Sequence, residues 1–301
     1  MNILIIGDKG QLGNELKDIL ASGRSEIGAI PEVYAGAVVT GVDIDGLDIS
    51  DEDAVRGYFE GSVPIGGRAY DVIINCAAMT NVDACETDEE AAMKANALGP
   101  RNIAAAAAAH GAKLVHISTD YVFPGDASAP YREWDQPAPT TVYGKSKLLG
   151  ERHAMQQNRK TFIVRTAWLY GYVGNNFVKT ILGLAKDRES IKVVDDQIGN
   201  PTHANDLAHH LLKIALTDEY GVYHCTGNGV CSWYDFASEI VRLADLDCNV
   251  EPCTTEEFPR PAPRPAYSAM DHLMLRCTVG DEMREWERAL AGYIQRTGKL
   301  S

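Results

Sequence analysis

The sequence lacks the long apolar run that a membrane-spanning helix requires. No stretch of its 301 residues approaches the roughly 18 consecutive apolar residues that cross a bilayer. Residues 1–7 also lack the basic region and the small-residue cleavage site of a signal peptide. We therefore expect a cytoplasmic protein without a membrane partner, whose first residues form a β-strand.

Positive charge is in short supply. The chain has 28 Lys and Arg residues against 42 Asp and Glu residues, which gives a formal net charge of −14 at pH 7. A nucleic-acid-binding surface needs clustered basic residues, so this balance argues against a nucleic-acid partner. It also means that an anionic substrate must be held by local positive groups, because the overall field repels it.

The seven cysteines lack the spacing of a metal site or of a disulfide framework. Their number is odd, and no C-x-x-C pair occurs among them. The pairs Cys225/Cys231 and Cys248/Cys253 are close in sequence, but neither spacing fits a standard zinc site. Reduced thiols in a cytoplasmic protein are the favoured interpretation.

The N-terminal residues have the pattern of a phosphate-binding loop. A short apolar run at residues 2–6 leads into Gly7, Gly10 and Gly13, which are spaced as G-x-x-G-x-x-G. Apolar residues then recur at helical spacing, at Leu12, Leu16, Ile19 and Leu20. Strand, glycine turn and helix form the context in which a pyrophosphate binds at a helix N-terminus. The altered glycine spacing leaves a purely structural turn open as the alternative.

A second apolar run, residues 38–42, delivers Asp43 to the position where an acidic residue accepts hydrogen bonds from the adenosine ribose. Asp43 comes later than the roughly 20 residues usual after the glycines, so the connection must carry extra loop. Its charge would repel the 2′-phosphate of NADP, which favours NADH or the use of both cofactors. Asp48 and Ile49 suit the edge and the face of adenine, and a plain helix cap is the alternative for this pair.

Later apolar runs repeat the alternation of strands and helices. Residues 71–78 have a strand pattern that ends in small residues, which would let a cofactor lie across the strand end. A helix is predicted over residues 89–109, and strands are predicted at 113–118 and 161–165. Repeated βα units with right-handed crossovers make a doubly wound parallel sheet of the Rossmann type, an α/β fold. Ligands bind such sheets at the carboxyl ends of the strands.

Beyond residue 170 the regular alternation breaks down, and prolines cluster at residues 252–265. We expect residues 1–170 to form a dinucleotide-binding domain and residues 171–301 to bind mainly the substrate. A strand near residues 222–226 is expected to return to the main sheet. One apolar helix face is interpreted as core, namely Trp233, Phe236, Ala237, Ile240 and Val241.

Tyr143 and Lys147 are four residues apart, which places a phenol and an ammonium on one face of a helix. A nearby cation stabilises a phenolate, so we expect the lysine to lower the tyrosine pKa from its usual value near ~10. Such a pair can exchange a proton with a carbonyl or alcohol oxygen. By itself the spacing also fits a solvated surface pair, and the other motifs decide between the two interpretations.

Several segments together indicate a family. They are the glycine loop, N-C-A-A at 75–78, S-T-D-Y-V-F at 118–123, Y-G-x-x-K at 143–147, R-T-A-W at 165–168, D-D-Q-I-G-N-P-T at 195–202 and R-P-x-x-S at 264–268. With them the chain resembles the extended short-chain dehydrogenase/reductases along essentially its whole length. The resemblance is greatest to members that reduce the C4 ketone of dTDP-4-dehydro-L-rhamnose, a small nucleotide-sugar substrate, with NADH or NADPH.

The resemblance implies a role for each matching residue. Tyr143 would protonate the C4 oxygen, Lys147 would lower the tyrosine pKa and bind the nicotinamide ribose, and Thr119 would hydrogen-bond the same oxygen. Asp120 and Trp168 match positions that contact the sugar. The positions that match or belong to the dinucleotide site are Gly7, Gly10, Gln11, Leu12, Gly13, Asp43, Asp48, Ile49, Ala77, Ala78, Met79, Thr80, Ile117, Tyr143 and Lys147.

Residues 260–265 contain two arginines and three prolines. We predict that this segment helps to hold the substrate diphosphate, because a guanidinium fork matches phosphate oxygens. Arg264 is favoured over Arg260, since it lies within the R-P-x-x-S match. The prolines stiffen the segment, so less chain entropy is lost on binding. In the alternative, both arginines pair with acidic surface residues such as Glu256 or Glu257 and only shape the loop.

Some members of the family hold a divalent cation at a dimer contact through glutamates. Glu15 fits that pattern, but Asn205 stands where a second carboxylate would be expected, so bound magnesium is not favoured and a homodimer stays open. Two other functions are considered. A nucleotide-sugar epimerase or dehydratase would need further acid/base groups that the sequence does not reveal. A non-catalytic regulatory subunit would have no use for the set of Thr119, Tyr143 and Lys147.

Overall fold

Strands and helices alternate through the described chain, which in this computed structural model comprises residues 1–61 and 70–298. The strands are β1 (Asn2–Ile6), β2 (Val38–Val42), β3 (Val72–Asn75), β4 (Lys113–Thr119), β5 (Thr161–Thr166), β6 (Leu169–Tyr170), β7 (Ser190–Val194), β8 (Ile198–Gly199), β9 (Thr202–His203), β10 (Gly221–His224), β11 (Cys231–Ser232) and β12 (Asn249–Cys253). The α-helices are α1 (Gln11–Ser22), α2 (Glu52–Gly61), α3 (Val82–Thr87), α4 (Glu89–Met93), α5 (Gly99–Ala109), α6 (Val142–Gln157), α7 (Phe177–Asp187), α8 (Ala204–Ala215), α9 (Trp233–Leu243), α10 (Leu273–Thr278) and α11 (Trp286–Gly298).

A parallel sheet organises the molecule. Within the described ranges it has six strands in the order β10-β5-β4-β3-β1-β2, and every neighbouring pair is parallel. The chain crosses to one side of β1 to form β2 and to the other side to form β3. This reversal creates a crevice at the carboxyl end of β1, which is where doubly wound sheets bind ligands. The predicted fold class is confirmed.

Alternate residues of β1 face opposite layers of helices. Ile3 and Ile5 pack with α1 and α8, whereas Leu4 and Ile6 pack with α2 and α5. All four side chains are buried, as expected for a central parallel strand covered on both faces. Full burial of a side chain of this size contributes about 1.5–3 kcal/mol, so the sheet is a stable platform for the loops at its carboxyl edge.

The helix predicted over residues 89–109 contains a wider turn. Between α4 and α5, Lys94–Leu98 form a π-helical turn, an irregularity that is frequent near functional sites. Within it the buried Asn96 side chain accepts from Met79 N at 2.8 Å and donates to Met79 O at 3.0 Å and to Ser146 Oγ at 3.1 Å. Gly150 permits this contact, because a Cβ there would lie 2.1 Å from Asn96 O. The π turn thus ties the loop after β3 to α6.

The C-terminal part adds one strand to the main sheet and a separate core. β10 pairs in parallel with β5 at the sheet edge. Helices α7, α9 and α11 pack around Phe236, Ile240 and Tyr293, which are fully buried. Of the helices in the described ranges, none has both the length and the apolar character needed to cross a membrane. The division of the chain at residue 170 stays a prediction.

Candidate active site

A cavity of about 940 Å³ runs along the carboxyl edge of the sheet. Its wall brings together almost all of the predicted site residues, namely Gly7, Gly10, Gln11, Leu12, Gly13, Asp43, Asp48, Ile49, Ala77, Ala78, Met79, Thr80, Ile117, Thr119, Asp120, Tyr143, Lys147 and Trp168. Arg264 is the one predicted site residue that lies outside this wall. The individual roles of these residues stay predictions.

The glycine loop fits a dinucleotide pyrophosphate. Gly7 has a positive φ of 78°, and a Cβ at Gly13 would lie 2.3 Å from Gly7 O, so the loop turns tightly against the start of α1. Gly10 is the N-cap of α1 and offers no side-chain hydrogen bond to it. The first-turn N–H groups of the helix are therefore available to an anionic ligand at the cavity.

At the adenosine end, Asp43 lies against the glycine loop. Its Oδ2 accepts from Lys9 N at 3.1 Å, and the Lys9 ammonium forms an exposed ion pair with Asp45 at 2.6 Å. Lys9 is thus a positive group beside Asp43 that our sequence reasoning missed. Asp48 lines the cavity and also accepts from Ser50 N at 2.9 Å. The helix-cap alternative does not describe it, because the carboxylate that accepts from the first turn of α2 belongs to Asp51.

The residues predicted to transfer the proton lie where β4 ends and α6 begins. Tyr143 and Lys147 lie in the first two turns of α6, which Thr141 caps by accepting from Gly144 N at 3.0 Å. Both side chains are buried, as is Thr119 at the end of β4. The surface-pair interpretation of Tyr143 and Lys147 therefore does not describe the structure.

The predicted direction of the Tyr143 pKa shift is wrong for this structure. Burial raises the pKa of the phenol, and the Thr119 hydroxyl only opposes the rise. The Lys147 ammonium instead donates to Ile117 O at 2.7 Å, and burial lowers its pKa to about 8, against the opposing effect of Glu151. Tyr143 is thus a protonated phenol at neutral pH, which is the form that a proton donor requires.

Asp120 and Trp168 complete this end of the cavity. Burial raises the pKa of Asp120 to about 6, and its Oδ1 accepts from Thr119 Oγ1 at 2.9 Å. The Trp168 ring stacks on the Trp233 ring, with centroids 3.5 Å apart and planes 7° from parallel. Trp233 packs against the C-terminal core, as predicted, and also lines the cavity, so the interpretation as core is confirmed but omits this second contact. Its place as the first residue of α9, directly after the cap, was the available signal.

Arg264 is held next to the cavity loops. Its Nη2 lies 2.9 Å from an Asp83 carboxylate oxygen, and the same carboxylate accepts from Ala262 N at 3.2 Å. Asp83 belongs to α3, directly after the cavity residue Val82. The segment is therefore tied to α3 by Asp83, which was not among the acidic partners considered from the sequence.

The two residues considered as metal ligands from the sequence belong to α1 and α8 and do not line the cavity. Asn205 Nδ2 donates to Glu15 Oε2 at 2.9 Å, and both side chains are buried. In the described ranges no group of three or more His, Cys, Asp or Glu side chains is arranged to hold a metal ion. The seven cysteines are all free thiols.

The whole described chain is similar to proteins of one family. The family model described as RmlD substrate binding domain matches residues 1–298. A dTDP-4-dehydrorhamnose reductase of Aggregatibacter actinomycetemcomitans is 40% identical over 301 residues, covering 96% of each chain. The spore coat polysaccharide biosynthesis protein SpsK of Bacillus subtilis (strain 168) is 39% identical over 293 residues, covering 97% of this chain and 96% of SpsK.

Solved structures give the same result. A dTDP-4-dehydrorhamnose reductase from Clostridium acetobutylicum superposes with a TM-score of 0.91 at 48% identity, covering 99% of this chain and 100% of that one. The enzyme of the same name from Bacillus anthracis, solved in complex with NADP, gives a TM-score of 0.88 at 42% identity and covers 98% and 99%. The resemblance predicted from the motifs is confirmed, and the chain belongs to the RmlD substrate binding domain family.

Proposed function

We propose that the protein reduces the C4 ketone of dTDP-4-dehydro-L-rhamnose to the alcohol, with hydride from NADH or NADPH. The observation that carries the proposal is that one cavity joins a dinucleotide cradle to buried Thr119, Tyr143 and Lys147. The names of the relatives support the substrate, and the NADP complex of the Bacillus anthracis protein supports the cofactor class.

The chain contributes binding, orientation and one proton. When bound, the reduced nicotinamide supplies the hydride. Tyr143 donates its phenolic proton to the C4 oxygen as negative charge develops there, and Thr119 hydrogen-bonds the same oxygen. The Lys147 ammonium, charged below its pKa of about 8, binds the nicotinamide ribose. Because its pKa is raised, Tyr143 is protonated at neutral pH and holds its proton until hydride transfer places negative charge on the C4 oxygen.

The direct test is to follow NADH and NADPH absorbance after adding dTDP-4-dehydro-L-rhamnose, and to identify the product by NMR. Stoichiometric cofactor oxidation with formation of the C4 alcohol is the expected result. If neither cofactor is oxidised, the proposal is refuted. Sugar conversion without net oxidation would indicate an epimerase, and tight cofactor binding without conversion would indicate a regulatory role.

Cofactor choice is predicted to be dual or to favour NADH. Asp43 repels a 2′-phosphate, whereas the neighbouring Lys9 attracts it. Asp43→Ser should raise the ratio of kcat/KM with NADPH to kcat/KM with NADH by about tenfold, and Lys9→Ala should lower the same ratio. A wild-type protein that prefers NADPH by more than about tenfold would show that Asp43 does not lie beside the ribose 2′-hydroxyl.

Arg264 is proposed to hold the substrate diphosphate, exchanging its Asp83 contact for phosphate oxygens. Arg264→Ala should raise KM for the sugar nucleotide by roughly 10- to 100-fold, equivalent to about 1.5–3 kcal/mol for a lost charged hydrogen bond. NADH affinity, measured by fluorescence, should not change.

Asp83→Asn is the matched control, because it removes the arginine's present partner and keeps the arginine. A diphosphate clamp predicts an unchanged or lower KM in this variant, since Arg264 no longer has to leave a carboxylate. If both variants instead lose thermal stability equally and neither selectively raises KM, the ion pair only shapes the loop.

A further inference from the structure

Among the described residues beyond Gly174, Trp233 is the one whose side chain lines the cavity. It does so as half of a face-to-face pair with Trp168. Trp168 lies two residues after Thr166, which is paired with Thr119 across β4 and β5. The pair of indoles therefore borders the proton-transfer end of the cavity and is remote from the adenosine end at β2.

Trp168 is held in an unfavourable backbone conformation. Its φ is +47°, in the left-handed region that a bulky residue rarely adopts. Such conformations persist when the surroundings impose them, and they concentrate at functional sites. One constraint is backbone pairing, because Trp168 O accepts from Thr202 N at 3.2 Å. Contacts of the Trp168 side chain supply further constraints on this conformation.

Two contacts fix the Trp168 indole. One face stacks on Trp233. The ring also lies against Gly199 of β8, where an added Cβ would approach Trp168 Cε2 to 2.6 Å and Nε1 to 2.7 Å. Only a residue without a side chain leaves room for the indole in this place. Gly199 and Trp233 thus fix the position of the ring together.

Trp233 is itself rigidly placed. It is the first residue of α9, directly after Ser232, whose side chain accepts from Asp235 N while the Asp235 side chain accepts from Ser232 N. This reciprocal capping box fixes the start of the helix. The Trp233 ring also contacts Phe177, with centroids 4.4 Å apart. The stack is therefore anchored on two helices, α7 and α9.

We infer that Trp233 is a positioning residue for the reduction. It holds Trp168 in its left-handed conformation, so that the pair forms a fixed aromatic wall against which the sugar ring sets its C4 oxygen toward Tyr143 and Thr119. This inference rests on the proposed function. Displacing a reactant by an ångström is enough to lower turnover strongly, so a loosened wall should act on the sugar and leave the cofactor unaffected.

The experiment compares Trp233→Leu, Trp233→Phe and Gly199→Ala with the control Trp286→Phe. Trp286 contacts Phe236 in the same C-terminal core but does not line the cavity. Far-UV circular dichroism reports the stacked pair, because the strong ultraviolet transitions of two indoles in contact couple and give a paired signal. Kinetics with the sugar nucleotide, NADPH affinity and the thermal midpoint are measured for each variant.

Trp233→Leu is expected to lose the coupled signal and to lower kcat/KM for the sugar nucleotide by about 10- to 100-fold, with NADPH affinity unchanged. Gly199→Ala, whose added methyl group displaces the same ring, should act in the same direction. Trp233→Phe keeps an aromatic face and should restore activity to within about threefold of wild type. The control should keep both signal and activity.

Loss of the coupled signal with unchanged kinetics overturns the inference. So does an equal loss of activity in Trp286→Phe at the same thermal midpoint, because general packing would then explain the effect. If Trp233→Leu does not fold, Gly199→Ala decides by the same criteria. Failure of the wild-type protein to oxidise NADH or NADPH with this substrate is a separate result, which counts against the proposed function.

Discussion

Replacing Tyr143 with Phe is expected to lower kcat by roughly 10²–10⁴, the usual contribution of a positioned general acid. The change removes one hydroxyl from a ring that otherwise keeps its packing against Cys85 and Ala92. Burial raises the pKa of this phenol, so it carries its proton at neutral pH, as the proposed proton donor must. The variant should fold and bind cofactor as the wild type does.

Tyr121→Phe is the matched control for this prediction. Tyr121 also lines the cavity and packs edge-on against Tyr143, with ring centroids 5.4 Å apart. Its hydroxyl has no proposed part in proton transfer, so its loss should change kcat by less than about threefold. Stopped-flow turnover at saturating cofactor separates the two variants. A Tyr143→Phe enzyme that retains activity within about threefold of wild type would refute the role assigned to the phenol.

The sheet and most of the cavity wall could be predicted because their signals are local. The runs at 2–6 and 38–42 are strands with the predicted bounds, and the glycines between the first strand and α1 mark a turn that other residues cannot make. Parallel strands deliver their carboxyl ends to one edge. Residues read as strand ends therefore had to meet, whatever the details of the loops.

Contacts between distant segments could not be predicted in the same way. Trp233 has the helical spacing of a core residue, and only the stack on Trp168 places it at the cavity. Asp83 reaches Arg264 because α3 and the C-terminal segment meet in space. The pKa of Tyr143 depends on burial, which a four-residue spacing does not report. In each case tertiary packing supplies the information that the local pattern lacks.

The buried ion pair between Glu151 and Arg165 is another contact between separate segments, and it links the helix and strands that carry the site residues. Arg165 Nε and Nη2 donate to the two Glu151 carboxylate oxygens at 2.9 and 2.8 Å, and Ser118 Oγ donates to Oε1 at 2.6 Å. Both charged side chains are at most 4% exposed. The pair thereby joins α6, which carries Tyr143 and Lys147, to β4 and β5.

Glu151→Gln is expected to lower the free energy of unfolding by about 3–5 kcal/mol, the cost of leaving one member of a buried pair uncompensated. The glutamine keeps the shape but leaves the Arg165 guanidinium buried without its counter-charge. Urea unfolding with an unchanged m-value measures the loss. The Glu151 charge also raises the pKa of Lys147 against burial. Its removal should move that pKa below about 8, so activity should fall at a lower pH on the alkaline side.

Glu239→Gln is the control that shows how far the loss of stability in Glu151→Gln depends on burial of the ion pair. Glu239 also binds an arginine through both carboxylate oxygens, at 2.7 and 2.6 Å from Arg242, but this pair is on the surface of α9. Water screens exposed charges, so this variant should unfold at nearly the wild-type urea concentration. If the two variants lose similar stability, the Glu151 pair is no more than a surface-type contact. If Glu151→Gln is destabilised but its alkaline limb does not move, Glu151 supports the fold without tuning Lys147.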